Sequence, residues 1–206
     1  DGGRLAYARA NEVGLIDIDG GTFAPLVQYT PFNTPQSWSW RANISWSPDN
    51  QLLLTTVHGS PIGGEPPESS PSFHVAVADL SGTFVAEIAQ NAGIWSNPEY
   101  SPAQPDAEGR ISGYIAYLRA RSINNSISES AAYDLVVADR DGSNARVLYP
   151  PTTAQPGLTA REFAWSPDGR AIAFVYQGSL WVADVESGIA NQVTLDSGAA
   201  APVWVR

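Results

Sequence analysis

Phe163-Ala164-Trp165-Ser166-Pro167-Asp168-Gly169-Arg170-Ala171-Ile172-Ala173-Phe174 is followed closely by Leu180-Trp181-Val182-Ala183-Asp184-Val185-Glu186-Ser187-Gly188, and this stretch decides the fold. A short strand ends on the aromatic Trp165. Pro167 then presets φ for a reversal, while Asp168 and Gly169 supply a side-chain acceptor and a positive-φ position. An aliphatic strand comes next, then a third strand that runs into a second reversal at Asp184. The apolar periodicity is that of short strands, and no helical period of any length accompanies it.

The same pattern recurs outward from this stretch. Ile44-Ser45-Trp46-Ser47-Pro48-Asp49-Asn50 repeats its first part, and Pro98-Glu99-Tyr100-Ser101-Pro102 repeats it in degraded form, with a Pro-Asp counterpart near Asp106. Asp17-Ile18-Asp19-Gly20, Asp79-Leu80-Ser81-Gly82 and Asp139-Arg140-Asp141-Gly142 repeat the second reversal of Asp184. Trp46, Tyr100, Trp165 and Trp204 are expected in the core between units, and Pro48, Pro102 and Pro167 in the turns beside them. Second strands are expected at 4–8, 51–57, 111–118 and 171–176. Third strands follow at 13–16, 73–78, 134–138 and 180–183, and fourth strands at 23–27, 84–88, 146–148 and 192–195. Four short strands per unit, repeated, predict an all-β propeller of four antiparallel blades in one domain, 1–206. The blades read as 1–28 plus 201–206, 41–90, 95–149 and 161–195.

The chain starts after a missing first strand and stops at Pro202-Val203-Trp204-Val205-Arg206, a first strand without its turn. It reads as a mature or excised piece of a longer precursor. The sequence predicts a ring closed by the C-terminal strand completing the N-terminal blade, which would remove open sheet edges. The alternative is a fragment of a larger propeller.

Bulk composition narrows the function classes. The 206 residues are 43% hydrophobic and 16% charged, as expected for a globular chain. Eleven basic residues, all arginine, stand against 21 acidic ones, for a net charge of −10. Such a surface repels phosphate backbones and anionic lipids, so neither nucleic acid nor a membrane is an expected partner. Cysteine is absent, which removes disulfides, thiolate nucleophiles and Cys-ligated metals. No apolar run approaches the ~18 residues of a membrane span.

The Trp-Ser-Pro-Asp-Gly turn, the aliphatic strand after it and Leu180-Trp181-Val182-Ala183-Asp184 together resemble the TolB-like β-propeller repeat, a WD-like pattern. The resemblance covers residues 161–195 well, 41–90 with a loop insertion, 1–28 without the first strand, and 95–149 loosely. It implies a periplasmic, cell-envelope or secreted protein, most often a binding scaffold and sometimes the gating propeller of a serine peptidase. The family's usual ring has six or more blades.

Candidate chemistry is sparse. A hydrolase needs a Gly-x-Ser-x-Gly elbow with a following acid and histidine, and no such segment exists, so no catalytic residue and no cofactor is expected. His58 and His74 bracket an insertion carrying Glu65 and Glu68 and could approach each other, but their pairing register is open, and no metal is assigned. Asp17, Asp79, Asp139 and Asp184 are read as hairpin-turn residues accepting backbone N–H bonds rather than as the start of calcium loops. Trp38, Trp40 and Arg41 lie between blades, outside the repeat, where exposed aromatics beside arginine can anchor sugars or proteins.

Long connections point to one face. Segments 28–41, 59–72, 119–132 and 150–160 emerge together and are biased to the second and third blades, and long connections in a compact domain usually carry function. Arg119 and Arg121 form its strongest positive cluster. The expected working surface is this face, with Trp38, Trp40, Arg41, His58, His74, Arg119 and Arg121, and the expected partner is a protein or peptide. A glycan or cation is the alternative ligand.

Overall fold

In the computed structural model, residues 2–34, 37–102, 104–105 and 111–205 are described. The chain is all-β, with four antiparallel sheets arranged as the blades of a β-propeller. The first blade is β1 (Arg4–Ala8), β2 (Glu12–Asp17) and β3 (Phe23–Gln28). The second is β4 (Ile44–Trp46), β5 (Leu52–His58), β6 (Phe73–Asp79) and β7 (Val85–Ala89). The third begins with β8 (Glu99–Tyr100), and a small hairpin of β9 (Gln104–Pro105) and β10 (Ile111–Ser112) interrupts it. It resumes with β11 (Tyr114–Ala120), β12 (Tyr133–Asp139) and β13 (Arg146–Tyr149). The fourth is β14 (Phe163–Trp165), β15 (Ala171–Tyr176), β16 (Ser179–Asp184) and β17 (Ala190–Gln192).

Period-two alternation builds the core between blades rather than within them. Val13 and Leu15 of the first blade pack with Leu53, Ala76 and Ala78 of the second. Leu54, Val75 and Val77 on the other face meet Ile115, Tyr117 and Val136 of the third. Leu135, Val137 and Leu148 then meet Ile172, Phe174 and Ala183 of the fourth. Tyr100 and Trp165 are buried, as the repeat predicts, and Trp46 packs on the first core as a partly buried residue.

The turn chemistry explains why the motif repeats. Ser47 Oγ donates to Asp49 Oδ1 at 2.6 Å and accepts the Leu52 N–H at 2.9 Å. Ser166 repeats both bonds with Asp168 at 2.6 Å and the Ala171 N–H at 2.9 Å. In the third blade Ser101 Oγ accepts the Tyr114 N–H at 2.9 Å across the intervening hairpin, so the serine brace survives the insertion. The second-strand boundary there moves from the expected 111–118 to 114–120, because the brace starts the main ladder at Tyr114. Asp106, the degraded turn counterpart, lies outside the described residues. The glycine of the other reversal has its own reason. Gly142 sits at φ +84°, and an added Cβ would come within 2.7 Å of Ile88 on the preceding blade.

Two expectations are corrected. Among the described residues the C-terminal segment does not complete the first blade, whose sheet has three strands. Among the described residues, 202–205 form no ladder, and Trp204 instead donates its indole N–H to the Ala164 carbonyl oxygen of the fourth blade at 3.0 Å. Asp1 and Arg206, the two ends of that expected joint, lie outside the described residues. The fourth strand of the last blade is 190–192 rather than 192–195, because Asp184 N–H bonds to Ile189 O at 2.9 Å and pairing starts at the next residue.

Candidate functional site

The long connections form one bonded platform. Asn33 N–H reaches the Glu68 carbonyl oxygen at 2.8 Å, tying 28–43 to the insertion 59–72. Ser126 Oγ donates to Pro71 O at 3.3 Å, tying that insertion to the one at 119–132. A 3₁₀ turn gives each insertion local order, at Pro67–Ser69 and Ile123–Asn125. Arg161 completes the brace: Nη1 donates to Ala131 O at 2.9 Å, and Nη2 to Glu129 O at 2.8 Å and Ser128 O at 3.3 Å. Its guanidinium also lies 4.9 Å from the Tyr133 ring centroid. Tyr133 is fully buried, and its hydroxyl donates to Ser126 O at 2.8 Å.

The structure separates the residues expected on this face. Trp40, expected at the surface, is 4% exposed. It donates its indole N–H to Ile94 O at 3.3 Å and packs edge-on against Phe73, because the connection folds back over the first core. Trp38 is half-buried against Trp95, with ring centroids 5.4 Å apart. Arg41 is exposed, with Nη1 on the Trp40 carbonyl oxygen at 2.8 Å. Arg121 is committed internally, with Nε to Asp134 Oδ1 at 2.6 Å and Nη1 to Gln155 O at 2.6 Å. Arg119 is half-buried opposite Asp134 in the ladder.

The two histidines do not converge. His58 pairs with Phe73 and Val57 with His74, so the imidazoles leave opposite faces of the sheet. His58 is buried, with Nδ1 2.7 Å from Thr30 O and Nε2 2.9 Å from Ser70 O, which occupies both positions a metal would need. His74 Nδ1 accepts the Asn91 N–H at 3.0 Å, and burial holds its pKa below the ordinary value. Among the described residues, no group of three His, Asp or Glu side chains could hold a metal ion.

A cavity of about 840 Å³ lies on the opposite face between the third and fourth blades. Asp139, Asp141, Asp168, Asp184 and Glu186 line it with Arg140 and Arg170. Its aspartates are largely spent on their own turns. Asp184 Oδ1 takes the Ser187 N–H at 2.8 Å, and Asp141 Oδ1 takes the Ser143 N–H at 2.9 Å. Asp139 accepts from the Asn144 side chain at 2.7 Å. Hydrogen bonds from neighbouring serines hold Asp168, Asp184 and Asp141 below the usual carboxylate range.

A smaller cavity, about 320 Å³, opens where the first strands of the blades begin, on the platform side. Asn43, Asn97, Glu99, Arg161, Glu162 and Phe163 line it, with residues 201–203. Asn43 Nδ2 donates to Pro98 O at 3.3 Å, and Asn97 Nδ2 donates to Arg161 O at 3.1 Å, so each asparagine bonds the next blade. Burial pushes the Glu99 carboxyl up to about 7. Sequence reasoning missed this cluster. Its signal was present: Asn43 and Asn97 each stand three residues before the repeat aromatic, and Glu99 one residue before Tyr100.

Known proteins share this arrangement of blades. TolB from Acinetobacter baumannii superposes with a TM-score of 0.53 at 18% identity, over 93% of this chain and 41% of that one. The fold is that of a TolB-like β-propeller. A chain of the nidogen/laminin complex gives 0.55 at 12% identity over 93% of the propeller and 60% of its own length. Puromycin hydrolase, as an S511A mutant complexed with PGG, gives 0.53 at 16% identity over 92% of the propeller and 28% of its own length. The propeller thus spans less than two thirds of each of these chains. The dipeptidyl peptidase IV (DPP IV) N-terminal region matches residues 116–205, from within β11 of the third blade through the fourth blade. Among the described residues, no helix is long and apolar enough to cross a membrane.

Proposed function

We propose that this propeller is a non-enzymatic module that binds a protein or peptide through its platform face, outside the cytoplasm. The carrying observation is the platform itself: the connection 28–43, the insertions of the second and third blades and Arg161 at the head of the fourth are bonded into one surface. A preformed surface binds without a large ordering cost. The likeness to TolB, and to a chain seen in the nidogen/laminin complex, supports the same reading. Peptide-phage selection against the immobilised chain tests it. Selected peptides should lose binding to Ile62→Asp and Arg119→Glu on the platform, and keep binding to Ile18→Asp and Phe84→Asp on the turn face. Peptides that map to the turn face sink the reading.

A second reading has its own observation. The match of residues 116–205 to a peptidase N-terminal region, together with the likeness to puromycin hydrolase, favours a propeller that accompanies a hydrolase unit. Immunoblotting of the source organism separates the two readings. A product far above 21.9 kDa favours the second, and one at that mass favours the first.

A further inference from the structure

His58 and His74 stand one register step apart on β5 and β6, and their partners ask for different protonation states. At His74 the partners fix one neutral tautomer. Its Nδ1 accepts the Asn91 N–H at 3.0 Å, so the ring proton lies on Nε2 and is donated to Ser72 Oγ at 3.1 Å. His58 instead meets two acceptors. Its Nδ1 lies 2.7 Å from the Thr30 carbonyl oxygen, and its Nε2 lies 2.9 Å from that of Ser70. A carbonyl brings no proton and a neutral imidazole has a single N–H, so only the imidazolium makes both bonds. The neutral ring would set a lone pair against one carbonyl oxygen at hydrogen-bond distance. Water has little access, because His58 is 5% exposed, stacked on Phe73 at 4.8 Å with Phe32 edge-on at 5.3 Å. The face of Phe73 also favours a cation on the ring above it.

Thr30 belongs to the connection 28–43 and Ser70 to the insertion 59–72, so the two bonds join two parts of the platform. We propose that His58 is a proton-operated latch of the platform: the imidazolium fastens both segments, and the neutral ring lets one of them go. The bond from Asn33 N–H to Glu68 O, at 2.8 Å, is a second tie between the same segments and shares their order. The charged and titratable groups on the elements that touch His58 are Arg41 on the connection, Glu65 and Glu68 on the insertion, and His74 and Asp79 on β6, with Glu87 beyond on β7. Among the described residues none of them forms an ion pair with His58, so the second proton answers to the two carbonyl oxygens. Histidines change charge between about pH 5 and 8. Protonation tightens the two segments, so this contribution is present in acid and is lost as pH rises. The latch governs the order of the platform, whether or not a protein binds there.

Nitrogen–proton correlation NMR of the histidine rings from pH 5.5 to 8.5, with amide hydrogen exchange over the same range, tests the proposal. His58 should carry protons on both ring nitrogens at pH 5.5 and on one at pH 8.5. Protection factors, which remove the intrinsic pH dependence of exchange, should fall about tenfold at Asn33 and Ser72 over that interval, the scale of losing one charge-assisted bond. Amides of the β11–β12 ladder should keep theirs. His74→Gln should leave this pattern in place. His58→Phe removes both donors and should leave protection at Asn33 low and independent of pH. Circular dichroism establishes that each variant is folded, and should His58→Phe fail to fold, the spectra and exchange of the unmodified protein decide the matter. One ring proton on His58 at pH 5.5, two at pH 8.5, or protection at Asn33 and Ser72 that stays constant while the ring titrates, overturns the proposal. So does a pH dependence at Asn33 that survives His58→Phe.

Discussion

Trp204 donates its indole N–H to the Ala164 carbonyl oxygen at 3.0 Å, which fastens the last described residues to the inner strand of the fourth blade. A similar relation holds inside the propeller, where the Tyr100 N–H bonds to Ser45 Oγ of the preceding inner strand at 3.0 Å. Trp204 therefore bonds the fourth blade's inner strand as one inner strand bonds its predecessor, while residues 202–205 form no ladder with β1 among the described residues.

That placement predicts unequal costs at equivalent positions. Leu53 and Ile172 lie opposite Trp46 and Trp165, one pair inward from the Asp turn, and both are fully buried. Leu5 holds the same register in β1 and is 57% exposed. Leu53→Ala should cost about 2–5 kcal/mol and Leu5→Ala within about 0.5 kcal/mol. Urea unfolding midpoints of the two variants decide this, and equal losses would show β1 to be covered in solution.

The serine brace should be worth more than its exposure suggests. Ser166 is buried, and its Oγ both donates to Asp168 and accepts the Ala171 N–H. Ser166→Ala orphans an N–H at the start of β15, at a cost of about 1–3 kcal/mol. Ser101→Ala should behave alike despite the hairpin between Ser101 and Tyr114, since the bond is the same length. Thermal unfolding of both variants checks this.

Acid should weaken the second blade's turn. Hydrogen bonding from Ser47, then from Arg140 at 3.0 Å, lowers the Asp49 carboxyl from 3.8 to about 2. A depressed carboxyl contributes stability that is present above its unfolded value and lost as pH falls through the folded one. Wild-type stability should therefore drop between about pH 4 and pH 2, and Asp49→Asn should flatten that limb. Added salt should weaken the Arg140 part. Urea midpoints measured across that range would show no difference between the two proteins if Asp49 were solvated like a free carboxylate.

What could be read from the sequence was what the backbone repeats. The Ser-Pro-Asp and Asp-x-x-Gly turns are local chemistry, and each bonds within a few residues of itself, so four blades were legible. Trp38 and Trp40 look alike in sequence, and the packing of Tyr29, Phe73 and Ile94 around Trp40 alone decides which is buried. Arg121 read as free charge because its partners, Asp134 and Gln155 O, lie 13 and 34 residues away. Closure by residues 201–206 rested on a count of strand types, which carries no information on where the strand docks. The Asn43 and Asn97 pair was readable as a repeat position, but its bonds to the next blade are not.

Arg161 should act as the fastener of the platform. Its three bonds to carbonyl oxygens between Ser128 and Ala131, and its contact with Tyr133, make it a charged clamp on one insertion. Arg161→Ala should cost about 2–4 kcal/mol, from the loss of charge-assisted bonds and of a cation–π contact. Arg161→Lys should recover only part, because an ammonium cannot fork across three acceptors. Hydrogen exchange should quicken in 126–133 and stay unchanged in 52–58. Uniform quickening would mean that the arginine supports the whole fold rather than the platform.

Glu99 gives the opposite pH dependence from Asp49. Its carboxyl rises from the ordinary 4.5 to about 7 because burial disfavours the charged form. A raised folded value means that the full stability is present below about pH 4.5 and declines as pH climbs through about 7. Glu99→Gln, which never ionises, should match the wild type at pH 4.5 and exceed it at pH 8 by on the order of 1–3 kcal/mol. Urea midpoints of both proteins from pH 4.5 to 8.5 measure the effect. A wild-type curve flat across that range and superimposable on the variant would place the Glu99 carboxyl in water rather than in the cavity.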